Sequence, residues 1–161
     1  MATINNPFVI KGAIPNEYFC DRVEETKTLT NHILNGRNVV LTAPRRIGKT
    51  GLISHCFQTP EWEKDYYIFF IDILETTSLK EFTFALGRQI FETLMPKSKQ
   101  MLDLFVQTVR SISGEFGYDP LSGMPKFSLS LGAIRNPEYT LSEIFDYIDQ
   151  ADKRCLIAID E

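Results

Sequence analysis

Apolar residues recur every four positions at Phe82, Leu86, Ile90 and Leu94, which is the repeat of one helix face. Ser78 and Glu81 stand before that face at capping-box spacing, and Pro96 ends it. Met101, Leu102, Phe105, Val109 and Ile112 lay out a second helical face. Leu141, Ile144, Phe145 and Ile148 lay out a third, with Thr140 and Glu143 as its expected cap. Nearer the N-terminus, Asp21 with Glu24 three positions on predicts a helix running to about Asn35. Gly36 supplies its left-handed stop. A helix opening at Gly48 carries Leu52, Ile53, Cys56 and Phe57 at helical spacing.

Between these faces lie apolar runs without helical period. "NVVLTA" (38–43) and "CLIAIDE" (155–161) predict short buried strands, and "YYIFFIDIL" (66–74) a strand covered on both faces of a parallel sheet. "GEFGYDPLSGMPKFSLSLG" (114–132) is turn-rich, and Phe127, Leu129 and Leu131 alternate with serines, which predicts an inserted hairpin or edge ribbon. Residues 1–20 are expected to form an extended arm, in which Pro7 and Pro15 discourage helix, and 21–161 the core of one domain. Strands alternating with helices predict an α/β fold. Its expected form is a mostly parallel three-layer sheet with helices on both faces and a small β-hairpin insert.

Composition narrows the class without changing this outline. A chain of 161 residues with 43% hydrophobic and 24% charged residues supports a sizeable core and is not a disordered composition. The net charge of −4 argues against broad electrostatic capture of nucleic acid. No apolar run approaches the roughly 20 residues of a membrane helix, and the N-terminus lacks a signal-peptide pattern, so a cytoplasmic protein with no membrane partner is expected. Cys20, Cys56 and Cys155 show no pairing pattern and fit buried thiols in a reducing compartment. His32 and His55 are isolated and read as helix-surface or packing residues.

The chemistry concentrates at "LTAPRRIGKT" (41–50). The spacing A-x-x-x-x-G-K-T matches a phosphate-binding loop, with Ala43 in place of the first glycine. The candidate phosphate cradle is Ala43, Pro44, Arg45, Arg46, Ile47, Gly48, Lys49, Thr50 and Gly51. In such a loop, backbone N–H groups and the following helix N-terminus face the phosphates. Gly48 permits close approach, Lys49 reaches the β- and γ-phosphates, and the Thr50 hydroxyl takes Mg²⁺. A bare basic turn before a helix is the plainer alternative. The second motif favours the cradle: Leu156–Ile159 deliver Asp160 and Glu161 at a strand's carboxyl end, where open α/β sheets bind ligands. Asp160 is the expected second Mg²⁺ contact and Glu161 the carboxylate that polarises an attacking water.

With both motifs in view, the chain resembles the prokaryotic P-loop ATPases of the AAA+/STAND division, the multidomain signal-transduction ATPases and their archaeal-type relatives. "YFCDRVEET" (18–26) is similar to that family's F-x-x-R-x-x-E signature, "APRRIGKT" (43–50) to its Walker A and "CLIAIDE" to its Walker B. The resemblance implies ATP rather than GTP, with Mg²⁺ between Thr50 and the phosphates, Lys49 and Glu161 as catalytic residues, and the arm before Asp21 near the adenine. No guanine-type N-K-x-D motif occurs, which agrees. Arg45 and Arg46 could line the phosphates, contact a neighbouring domain or face solvent, and a protein neighbour or self-association is the expectation.

Family members continue beyond Walker B with a sensor strand, a further strand and a helical lid. The chain is therefore expected to be the N-terminal portion of an ATPase domain, truncated after the Walker B strand. It would act as an ATP hydrolase in the full-length protein, with little turnover alone. Strands 38–43 and 155–160 would flank a missing central strand, to be replaced by 126–132 or by a second molecule. The leading function is an ATP-dependent switch. The alternatives are a non-hydrolysing nucleotide-binding assembly module and a DNA-associated AAA+ ATPase, which the acidic balance disfavours.

Overall fold

The computed structural model of the chain describes residues 19, 21–44, 46–57, 60–95, 97–111, 116–118, 125–127 and 134–160. The chain forms two units, Met1–Trp62 and Glu63–Glu161. In the first, α1 (Val23–Leu34) and α2 (Lys49–Phe57) follow the expected helical faces. The first ends in a Schellman motif: Gly36 at φ 69° sends its N–H to the Ile33 carbonyl (2.8 Å), and the Arg37 N–H reaches His32 (3.0 Å). Its start differs from expectation. Asp21 does not cap it; its carboxylate accepts the adjacent Arg22 N–H at 3.1 Å, and Arg22 occupies the cap position with φ 62°. Leu29 of α1 and Leu52, Cys56 and Phe57 of α2 are buried. The Thr26 hydroxyl lies beside the Cys56 thiol, whose pKa burial pushes up.

Residues 38–43 form no strand. Val40 is 86% exposed, and no described segment pairs with this run. Three apolar residues in a row, Val39 to Leu41, state only a wish for burial. A strand needs a neighbour to pair with.

The second unit begins within a short helix, α3 (Pro60–Asp65), which leads into β1 (Tyr66–Asp72), followed by α4 (Leu79–Leu94) and α5 (Lys99–Thr108). The hairpin strands β2 (Phe116–Tyr118) and β3 (Pro125–Phe127), then α6 (Pro137–Gln150) and β4 (Arg154–Asp160), complete it. The Ser78 cap of α4 forms as predicted: Ser78 Oγ accepts the Glu81 N–H at 3.3 Å, and Glu81 in turn accepts from the Thr77 N–H at 2.5 Å. The helix before "LSEIFDYI" begins earlier than expected, at Pro137, with Asn136 capping the Tyr139 N–H (3.2 Å). Thr140 and Glu143 instead face inward. Thr140 Oγ1 meets Ser111 Oγ at 2.8 Å and Glu143 accepts the Ser111 N–H at 3.0 Å, which ties α6 to the end of α5.

The expected three-layer parallel sheet is corrected by the strand pairing. Among the described residues the parallel sheet has two strands, β1 and β4, in register from Tyr66 beside Arg154 to Asp72 beside Asp160. The expected pair of strands at 38–43 and 155–160 is not found, because only the second forms a strand. The expected replacement of a central strand by 126–132 is not found either: β3 pairs antiparallel with β2 in a separate hairpin, and 128–133 lie outside the described residues. The core forms where Tyr67, Phe69 and Ile71 of β1 meet α4, α5 and α6, with Cys155 and Ile157 of β4 packed against it. Alternate residues of each strand share that face. No helix among the described residues is long and apolar enough to cross a membrane.

Cys155 gives this core a pH signature. Burial, aided by the nearby Asp152 charge, pushes its thiol from 9.0 up to about 11. The folded state thus holds the proton more tightly than the unfolded one. The contribution to stability is full below about pH 9 and is lost as pH rises towards about 11. In chemical denaturation across that window, Cys155→Ala is expected to lose less stability than the wild-type chain. Parallel losses would show that the thiol is not shifted.

Candidate functional site

The residues proposed to hold phosphate sit in the first unit, in the turn between residues 44 and 49 and the helix that follows. Arg46 and Gly48 both adopt left-handed backbone, with φ of 65° and 84°. A Cβ added at Gly48 would meet nothing within 4 Å, so it is the dihedral and not crowding that calls for glycine. The α2 hydrogen-bond chain starts there, with the Leu52 N–H on the Gly48 carbonyl at 3.0 Å. An α-helix leaves the N–H groups of its first turn without intrahelical partners. The first turn of α2 holds no acidic residue to offset the positive end of its dipole.

Two cationic side chains hold this turn. Lys49 Nζ donates to the Ala43 carbonyl at 2.8 Å, so the ammonium folds back across the turn to its opposite end. Arg22, at the start of α1, donates through Nη2 to the Ile47 carbonyl. Arg46, Ile47, Gly48 and Thr50 are exposed. Gly51 lies in the first turn of α2, Ala43 and Pro44 are exposed irregular backbone, and Arg45 lies outside the described residues. Two hydrogen bonds therefore hold the turn, Lys49 to Ala43 across its ends and Arg22 to Ile47 from the start of α1. In the sequence Arg22 stands out only within the family-like "YFCDRVEET" stretch; its bond to the turn spans 25 residues and leaves no local pattern.

Asp160 ends β4 in the second unit, as the apolar run predicted, and Glu161 lies outside the described residues. The parallel register places Asp72 directly beside Asp160 at the carboxyl ends of both strands. Asp72 also turns the chain, accepting the Leu74 N–H at 2.9 Å, while the Ile73 N–H donates to the Asp160 carbonyl at 2.9 Å. Sequence reading missed Asp72. Its signal was present, since "YYIFFID" and "CLIAID" both end an apolar strand in aspartate.

No group of three or more His, Cys, Asp or Glu side chains that could hold a metal ion occurs among the described residues. Magnesium does not require one, because it keeps several waters and takes ligands from substrate phosphates with one or two protein oxygens. Thr50, an exposed residue beside Lys49, carries the kind of oxygen that this smaller demand would use. No protein-family model, curated protein or solved structure matches this chain, so the functional reading rests on these residues.

Proposed function

We propose that the turn between Ala43 and Thr50 binds the phosphates of ATP, as the resemblance to AAA+/STAND-type ATPases implies. One observation carries the reading. Gly48 takes a left-handed φ of 84° immediately before a helix that opens with Lys49 and Thr50. That backbone turns the chain into a helix N-terminus suited to an anion, and it places an ammonium within the same turn. Lys49, now on the Ala43 carbonyl, exchanges a neutral acceptor for phosphate oxygens when the nucleotide arrives. Thr50 offers a hydroxyl to the Mg²⁺ that accompanies the triphosphate, where the ion neutralises phosphate charge. The protein's own part is to hold the anion and exclude competing orientations. The spacing of Cys20, Cys56 and Cys155, which shows no pairing pattern, fits the cytoplasm, where ATP is available.

Calorimetric titration of the chain with ATP and Mg²⁺ tests the reading. Binding is expected in the wild-type chain, and Gly48→Ala is expected to weaken it by about fivefold to thirtyfold. A side chain held at positive φ costs about 1–2 kcal/mol. Absence of ATP binding by the wild-type chain would remove the proposal.

A further inference from the structure

We infer that Arg22 is a positioning residue for the phosphate turn: it orients the Ile47–Gly48 peptide so that the Gly48 N–H faces the bound anion. The inference rests on the nucleotide reading above. Its starting point is the guanidinium Nη2, which donates to the Ile47 carbonyl. The chain has no cis peptide among its described bonds, and a trans peptide is planar. Its C=O and N–H therefore point in opposite directions. Drawing the Ile47 oxygen towards Arg22 turns the Gly48 N–H to the other side of the turn.

The orientation needs holding. Arg46 and Gly48, on either side of Ile47, both have positive φ, which is a backbone with few competing local restraints. A reversed peptide would present the Ile47 oxygen to the phosphate and repel it. A charge-assisted hydrogen bond from a guanidinium selects one orientation over the other before any ligand arrives.

Arg22 is also an odd choice for its own helix. It stands at the N-cap of α1, where Ser, Thr, Asp or Asn satisfies the first turn, and it makes no side-chain capping bond. It and Asp21 both have positive φ, 62° and 68°, although neither is glycine. Local bonds keep this backbone in place: Asp21 accepts the Arg22 N–H at 3.1 Å, and the Arg22 carbonyl accepts the Thr26 N–H at 3.0 Å. A residue that breaks two local rules at a helix start and spends its side chain on another segment is there for that segment.

The test compares the wild-type chain with Arg22→Gly, Arg22→Lys and Lys49→Ala, using titration with ATP and Mg²⁺, thermal melting, and the Gly48 amide resonance. Glycine accepts φ 62° without strain, so Arg22→Gly is expected to melt at or above the wild-type temperature. It is nevertheless expected to bind ATP about fivefold or more weakly, the cost of one lost charged hydrogen bond. Its Gly48 amide proton should no longer shift downfield on saturation. Arg22→Lys keeps one donor on a long stem and should move both readouts back towards wild type. Wild-type affinity in Arg22→Gly, with Lys49→Ala still defective, overturns the positioning role and leaves the nucleotide reading standing. Melting of Arg22→Gly well below wild type also overturns it, because Arg22 would then serve stability. No ATP binding by the wild-type chain overturns both.

Discussion

Lys49→Ala is expected to weaken ATP binding by at least about tenfold, or about 1.4 kcal/mol, with little change in thermal stability. The side chain makes one hydrogen bond, to the Ala43 carbonyl at 2.8 Å, at an exposed position. Such a bond contributes little to folding, because both groups return to water when it breaks. Bound phosphate changes the balance. The ammonium then meets a full negative charge next to the positive end of α2, where no acidic residue of the first turn competes. Lys49→Arg is expected to fail as well, since a planar fork does not replace a compact ammonium in a narrow turn. Calorimetric titration together with thermal melting checks both variants. Unchanged affinity in Lys49→Ala, in a chain that does bind ATP, would show that the nucleotide sits elsewhere.

Phe105→Ala is expected to destabilise the second unit by about 3–5 kcal/mol. Its ring is fully buried and stands edge-on to Tyr147, with centroids 5.1 Å apart and planes at 77°. The substitution removes apolar burial and the aromatic pair together, and leaves a cavity beside Tyr147. Leu86, Ile90 and Leu94 of α4 and Ile144 of α6 share this core, and each helix is held by its own cap, which limits collapse into the space. The Tyr147 hydroxyl is already buried without a hydrogen-bond partner among the described residues, so a loosened core gives it a route to water. Urea denaturation followed by circular dichroism measures the loss. A loss below about 1 kcal/mol would mean that the site relaxes and that Phe105 does not join α5 to α6 as described.

The helices were legible wherever a local pattern was sufficient. Phe82, Leu86, Ile90 and Leu94 announced α4 because a helix satisfies its own backbone and asks of its sequence only one apolar stripe. Ser78 and Gly36 marked ends by chemistry that acts within a few residues. The same reasoning misplaced Thr140 and Glu143. They stand at cap spacing, but Asn136 and Pro137 start the helix earlier and leave both side chains to bond Ser111. A capping residue and an inward-facing hydrogen-bonding residue look alike until a partner about 30 positions away is known.

Of the candidate site, the Gly48 turn, the helix opening at Lys49 and Asp160 at a strand end could be read directly, because each depends on neighbouring residues. Asp72 beside Asp160 could not, since only the β1–β4 register brings those aspartates together. Arg22 on Ile47 could not for the same reason: their contact spans 25 residues.

By itself the sequence determined the main stretches of five helices, α1, α2, α4, α5 and α6, the hydrophobic character of β1 and β4, and a glycine where the chain must turn into α2. These follow from dihedral preferences and from periodic burial, which act over a few residues. Tertiary structure decided which apolar runs became strands. "NVVLTA" and "CLIAID" carry similar local signals, yet only the second forms a ladder, because it meets β1 in register and buries Cys155 and Ile157 against a core already made by three helices. A strand's backbone is satisfied only by another strand, so its existence is a property of the pair and is written in neither segment alone.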